Sequence, residues 1–117
     1  MKVAYASRTG NVESIVGQLD VEAIQIVDGS ETADGDYILF TYTDGYGDVP
    51  AEVEDFLVGN SANMKGVVVS GDTGYGDAYC GAGDKIADEY GVEVLYKVEN
   101  AGEPEDIEAI KNIVEKA

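Results

Sequence analysis

The sequence predicts a doubly wound α/β domain: a five-stranded parallel sheet in a three-layer α/β/α arrangement. Three observations carry that expectation. Short apolar runs alternate with amphipathic stretches, the pattern of strands covered on both faces and helices covered on one. Glycine-rich turns follow the first, third and fourth of those runs, at the strand carboxyl ends where an open parallel sheet receives ligands. The length of 117 residues and the 44% hydrophobic content suit one core, so a single domain over residues 1–117 is expected.

Lys2-Val3-Ala4-Tyr5-Ala6 is a continuous small and β-branched run and reads as the first, buried strand. The polar turn Ser7-Arg8-Thr9-Gly10-Asn11 follows, and a helix begins near Val12 with apolar residues at Ile15, Val16 and Leu19. Residues 22–27 alternate into a short second strand. The stretch 28–35 is too polar and too short for the usual crossover helix, so that helix is expected to be absent or reduced. Asp36 to Tyr42 forms the third strand. Pro50 then stands at the start of a helix, where its missing N–H costs nothing, and Val53, Phe56 and Leu57 supply that helix's buried stripe. Met64 to Gly71 is the fourth strand, expected to be the most central by its apolar density. A helix around Gly83 to Tyr90, a fifth strand over Val92 to Val98 and a last helix opened by Pro104 complete the chain. Ile107, Ile110, Ile113 and Val114 are its inward face.

Composition removes several classes of function. Cys80 is the sole cysteine and histidine is absent, which excludes a disulfide scaffold, a thiolate zinc cluster and a histidine base. Twenty-four acidic residues against seven basic ones give a net charge of −17, a surface that repels nucleic acid and anionic lipid. The acidity fits solubility or a salty medium, and it also fits steering toward a basic protein partner. No apolar run is long enough to span a bilayer and the N-terminus lacks a signal core, so no membrane partner and a cytoplasmic location are expected.

The three glycine-rich turns carry the chemistry. The first is neither a Walker loop nor a dinucleotide fingerprint. Its Ser7 and Thr9 hydroxyls, the Asn11 amide and backbone N–H groups can instead cradle a single terminal phosphate beside the first helix. A helix cap would need only one of those hydroxyls. The second turn, Thr41-Tyr42-Thr43-Asp44-Gly45-Tyr46-Gly47-Asp48, sets tyrosines between glycines, which let backbone approach a flat ring. The third, Gly71-Asp72-Thr73-Gly74-Tyr75-Gly76-Asp77-Ala78-Tyr79-Cys80-Gly81, repeats that design. Together they are suited to grip a planar heterocycle. Asp44, Asp48, Asp72 and Asp77 admit a hydrolytic or Mg²⁺ reading, but four loop acids are close to expectation in a chain this acidic, so no metal ligand is assigned. Cys80 at a helix start is either a low-pKa thiol or an inert buried one, and Arg8 either neutralises a phosphate or lies outward.

Three segments, in order and at matching spacing, resemble a known family. Ser7-Arg8-Thr9-Gly10-Asn11 is similar to the flavodoxin phosphate loop, with Val12 at its last hydroxyl position, and takes the shortened form found in the NrdI family. Thr41-Tyr42-Thr43-Asp44-Gly45-Tyr46-Gly47, followed by Val49-Pro50, resembles that family's second loop, with Tyr42 where proline is usual. Ser70-Gly71-Asp72-Thr73-Gly74-Tyr75-Gly76-Asp77-Ala78-Tyr79 resembles its third, with Asp72 and Gly74 replacing asparagines. Val94 to Glu99 and Gly102 to Asp106 are similar to its closing strand and turn.

The resemblance implies a flavodoxin-like fold and non-covalent binding of FMN. The residues implied are Ser7, Arg8, Thr9, Gly10, Asn11 and Val12, then Thr41 through Gly47, and finally Ser70, Gly71, Asp72, Tyr75, Gly76, Tyr79 and Cys80. It further implies a redox accessory protein of class Ib ribonucleotide reductase rather than a stand-alone metabolic enzyme. In that role, a flavin-reducing partner supplies electrons, and superoxide or peroxide from reduced flavin and oxygen passes to the dimanganese centre of the radical subunit NrdF. The alternative is a short electron-transfer flavodoxin, whose acidic surface would dock basic redox partners equally well. A flavin-free receiver-like domain would need an acidic pair after the first strand and an acceptor Asp after the third; Ala6-Ser7 and Thr41-Tyr42 stand there instead.

Overall fold

The computed structural model describes residues 1–117. Five parallel strands, β1 (Lys2–Tyr5), β2 (Ala23–Gln25), β3 (Tyr37–Tyr42), β4 (Met64–Gly71) and β5 (Val94–Glu99), form one sheet in the order β2-β1-β3-β4-β5. That is the flavodoxin-like order, and the point where it reverses lies between β1 and β3. Four helices cover the sheet: α1 (Asn11–Gly17), α2 (Ala51–Asn60), α3 (Gly81–Tyr90) and α4 (Pro104–Lys116).

Strand periodicity explains the layers. Successive side chains of β3 point to opposite faces, so Ile38 and Phe40 join one core with Val12, Ile15 and Val16 of α1 and Ile107, Ile110 and Val114 of α4. Tyr37 and Leu39 join the other, with Val53, Phe56 and Leu57 of α2 and Ile86 of α3. The α/β/α sandwich is thus written into the alternation of a six-residue strand.

Several expected boundaries move. The central strand is β3 rather than β4, because apolar density reports cover on two faces and not distance from a sheet edge. The second strand shrinks to Ala23–Gln25, with only Ile24 half-buried, as befits an edge. Helix α1 ends at Gly17, although Leu19 still packs in the core beyond it. Ile113 is half-exposed, while Ile107, Ile110 and Val114 are buried as expected.

No helix follows β2. Buried Asn60, at the end of α2, secures the replacement loop: its Oδ1 accepts from Ala33 N at 2.8 Å and its Nδ2 donates to Glu31 O at 3.0 Å. The Glu31 carboxylate accepts in turn from the backbone N–H groups of Val27, Asp28 and Gly29. Burial pushes the Glu31 carboxyl up, but those N–H bonds outweigh it and leave the group below its usual range. Two side chains therefore do the work of the missing helix. No helix of the chain is long and apolar enough to cross a membrane.

Candidate functional site

The three glycine-rich turns converge at the carboxyl edge of the sheet. In the first, Gly10 occupies the cap position of α1 at φ 92, a left-handed conformation that glycine adopts without strain, and no side chain caps from that position. Ser7 Oγ, six residues upstream, accepts the Glu13 N–H at 3.2 Å. The capping reading and the cradle reading thus divide between residues: Ser7 serves the helix, while Thr9 and Asn11 face the cavity described below. Val12 is buried in the core, so any contact it makes with a ligand is through its backbone.

The second turn is closed at its neck. Asp44 N donates to Asp48 O at 2.9 Å and Asp48 N to Asp44 O at 2.7 Å, leaving Gly45-Tyr46-Gly47 as a tip. Gly47 takes φ 94 and lies so close to α3 that a Cβ on Gly81 would fall 2.8 Å from its Cα. Thr41 is fully buried and donates to Tyr42 O, whereas Thr43 Oγ1 reaches across to Ser70 O at 3.0 Å. Tyr42 donates its hydroxyl to Glu52 at 2.6 Å. Burial, then that carboxylate, push the phenol well above its ordinary range.

The third turn is a pair of 3-10 turns over Thr73–Ala78, kinked at Gly76. Asp72 opens it by accepting Gly74 N at 2.8 Å, and the Thr73 hydroxyl donates to Glu99. Asn100 fastens the adjoining strand end. Its N donates to Gly71 O at 2.9 Å and its carbonyl accepts from Ser70 Oγ at 2.7 Å. At φ 52 it holds a left-handed conformation that asparagine tolerates.

A cavity of about 140 Å³ opens where these turns meet. From the first turn it takes Arg8, Thr9 and Asn11; from the second Tyr42, Thr43 and Gly45; from the third Ser70, Gly71, Asp72, Tyr75, Ala78 and Cys80; and from the end of β5 Asn100. Of the residues expected from sequence, Ser7, Gly10, Val12, Thr41, Asp44, Tyr46, Gly47, Gly76 and Tyr79 do not line it. Asp44 pairs with Arg8 at 2.9 Å, and Tyr46 packs on Tyr75. Tyr79 covers the small cluster of Val69, Cys80 and Ala82, where burial, followed by the adjacent Cys80, pushes its phenol to about 12. Asn100 lies outside the three turns read from sequence, and Ala78 lies within the third but not among the residues expected to bind. The signal for Asn100 was an asparagine ending an apolar strand just before Ala101-Gly102.

Electrostatics narrows the chemistry available. Cys80 is fully buried and burial raises its thiol, with Sγ 3.5 Å from Val69 O. The low-pKa alternative for this cysteine therefore fails, since α3 turns the thiol into the core. Two of the four loop acids face cations, Asp44 meeting Arg8 and Asp48 meeting Lys85, each at 2.9 Å, while Asp72 accepts the Gly74 N–H. What remains is a cradle of hydroxyl, amide and backbone donors, flanked by Arg8 and Asp72, beside a cleft bordered by glycine and tyrosine. That arrangement suits an anionic oxygen group joined to a planar ring.

The family described as NrdI Flavodoxin like matches residues 3–112 of this chain. The SPbeta prophage-derived protein NrdI of Bacillus subtilis is 38% identical over 112 residues, covering 92% of this chain and 86% of that protein. Protein NrdI of Bacillus licheniformis is 34% identical over 116 residues, covering 99% and 88%. Among solved structures, a short-chain flavodoxin associated with a non-canonical PDU bacterial microcompartment superposes with a TM-score of 0.66 over 97% of this chain and 93% of its own. At 23% identity, that likeness shows the shared fold.

Proposed function

The chain belongs to the NrdI family of flavodoxin-like proteins, and from that membership we propose that it binds FMN and delivers an oxygen-derived oxidant to the dimanganese radical subunit NrdF of class Ib ribonucleotide reductase. The observation that carries the reading is the cavity drawn jointly from all three glycine-rich turns at the carboxyl edge of β1, β3 and β4. Its donor set fits the cofactor. Thr9 and Asn11 offer hydroxyl and amide donors for a phosphate monoester, and Gly10 keeps the backbone between them free of side-chain bulk. Gly45, Gly71 and Tyr75 border the space for a flat ring system. When bound, FMN supplies the electron-transfer chemistry that converts oxygen to superoxide or peroxide.

The chain's own contribution is binding and access. The Thr43 hydroxyl, at the end of β3, ties one cavity wall to the other through Ser70 O, and buried Ser70 ties the end of β4 to Asn100. Tyr46 is 80% exposed beside the cavity mouth, leaving an edge that oxygen reaches and a partner can cover. A flavin-reducing partner and NrdF are the proteins this reading requires.

The test mixes reduced flavoprotein, oxygen and the dimanganese subunit, and follows the tyrosyl radical by electron paramagnetic resonance. Radical formation that survives added catalase is the expected result, because the oxidant passes between docked proteins. Absence of radical with a subunit that responds to supplied superoxide, together with efficient electron delivery to a reductase, would identify an electron-carrying flavodoxin instead.

A further inference from the structure

The geometry points to Arg8, Asp44, Asp48 and Lys85 as positioning residues that latch the Gly45-Tyr46-Gly47 tip beside the flavin cavity, with Arg8 serving the loop rather than the phosphate. This rests on the flavin reading above. The chain has seven cationic side chains, and two of its five ion pairs fall on the two residues that form the neck of one turn. Asp44 and Asp48 are joined to each other by two backbone hydrogen bonds. From that neck, one carboxylate reaches Arg8 in the turn after β1 and the other reaches Lys85 in α3, each at 2.9 Å. The neck is thereby braced from two sides, by two different elements.

The side chains of the tip supply little anchorage. Gly45 has none and Tyr46 lies on the surface against Tyr75, while buried Gly47 packs by its backbone on Gly81 of α3. Arg8 is meanwhile committed. Its guanidinium carbon stands 4.9 Å from the Tyr42 ring centroid while Nη1 donates to Asp44, so its charge is answered by a carboxylate and an aromatic face. The phosphate cradle is left to the neutral donors Thr9 and Asn11. Exposed ion pairs are individually weak, but here both restrain the same short backbone ring, whose Gly45 borders the cavity.

Fluorescence titration with FMN and with riboflavin, which has no phosphate, separates the two roles of Arg8. Asp44→Asn and Lys85→Gln should each weaken riboflavin by about threefold, and the double variant, which leaves the net charge unchanged, should weaken both flavins by about tenfold with equal factors for the two ligands. Riboflavin is uncharged, so added salt acts on the latch: wild-type affinity should fall toward that of the double variant, whose own affinity stays level. A change in FMN affinity without a change for riboflavin would show Arg8 acting on the phosphate and overturn the inference. Unchanged affinity for both flavins, or a salt-independent wild-type riboflavin affinity, would overturn it too. A wild-type protein that binds neither flavin would instead remove the flavin reading itself.

Discussion

Tyr46 and Tyr75 meet edge to face, with ring centroids 5.2 Å apart and planes at 85°, although one belongs to the turn after β3 and the other to the turn after β4. The contact joins the turns after β3 and β4 beside the cavity that Tyr75 lines. Both rings are exposed, so neither is a support of the core. Tyr75→Ala is expected to leave unfolding stability within about 0.5 kcal/mol of wild type and to weaken FMN by roughly 1 kcal/mol. Denaturant melts of the flavin-free protein and fluorescence quenching titrations measure the two quantities side by side.

Thr9 lines the cavity and is the hydroxyl donor we propose for the phosphate. Thr9→Ala should weaken FMN by roughly 1–2 kcal/mol, the scale of a hydrogen bond to a charged group, and should leave riboflavin affinity unaltered. Equal affinities of the variant and wild type for FMN would move the phosphate elsewhere.

Asp72 offers a clean test of how charge acts on the flavin. Its Oδ1 accepts the Gly74 N–H, and asparagine retains that acceptor while losing the charge. Asp72→Asn should therefore preserve the turn and raise the potential of the more negative reduction step, since one anion fewer opposes the incoming electron. The shift should shrink at high ionic strength, because Asp72 is exposed. Redox titrations at two salt concentrations give the answer; a potential that stays fixed at both refutes it.

Asn60 supports the loop that stands where a crossover helix would be. Its side chain makes three hydrogen bonds, to Ala33 N, Glu31 O and Phe56 O, at a nearly buried site. Asn60→Leu strands the buried Ala33 N–H and should cost about 3 kcal/mol. Urea denaturation measures the loss, and limited proteolysis should map the first cleavage to residues 27–35.

Helix α4 carries a pH-dependent start. Asp106 accepts the Tyr96 hydroxyl at 2.6 Å and the Glu103 N–H at 2.8 Å, and its own N–H donates to Glu103 O at 2.9 Å. The Tyr96 bond, then the backbone bond, hold the Asp106 carboxyl below its ordinary value. A carboxyl lowered on folding contributes stability that is present above its unfolded pKa and is lost as pH falls through the folded one. The contribution should therefore disappear below about pH 4. Asp106→Ala should cost about 1 kcal/mol at pH 7 and converge on wild type in acid, as read from denaturation at both pH values.

Much of this molecule is legible in local chemistry. The strand runs at Val3-Ala4 and Val67-Val68-Val69, the helix stripe of Val53, Phe56 and Leu57, and the glycines after β1, β3 and β4 each declare themselves within a few residues, because side-chain period and backbone freedom are properties of short segments. Those signals sufficed for an α/β/α sandwich, for the missing crossover helix and for the edge of the sheet where the cavity lies. They could not distinguish β3 from β4 as the central strand, since both are covered on two faces.

Partners far apart in the chain were decided only by the tertiary structure. Arg8 meets Asp44 and Asp48 meets Lys85 across separations of 36 and 37 residues, and Asn60 reaches Ala33 across 27. Asn100 enters the cavity wall because β5 ends beside β4. The burial of Cys80 likewise follows from how α3 packs on Val69 and not from its neighbours in sequence. In a chain with more than three acids for every cation, composition cannot say which carboxylate each cation chooses. The strand order makes that choice, by setting which turns lie within a side chain's reach.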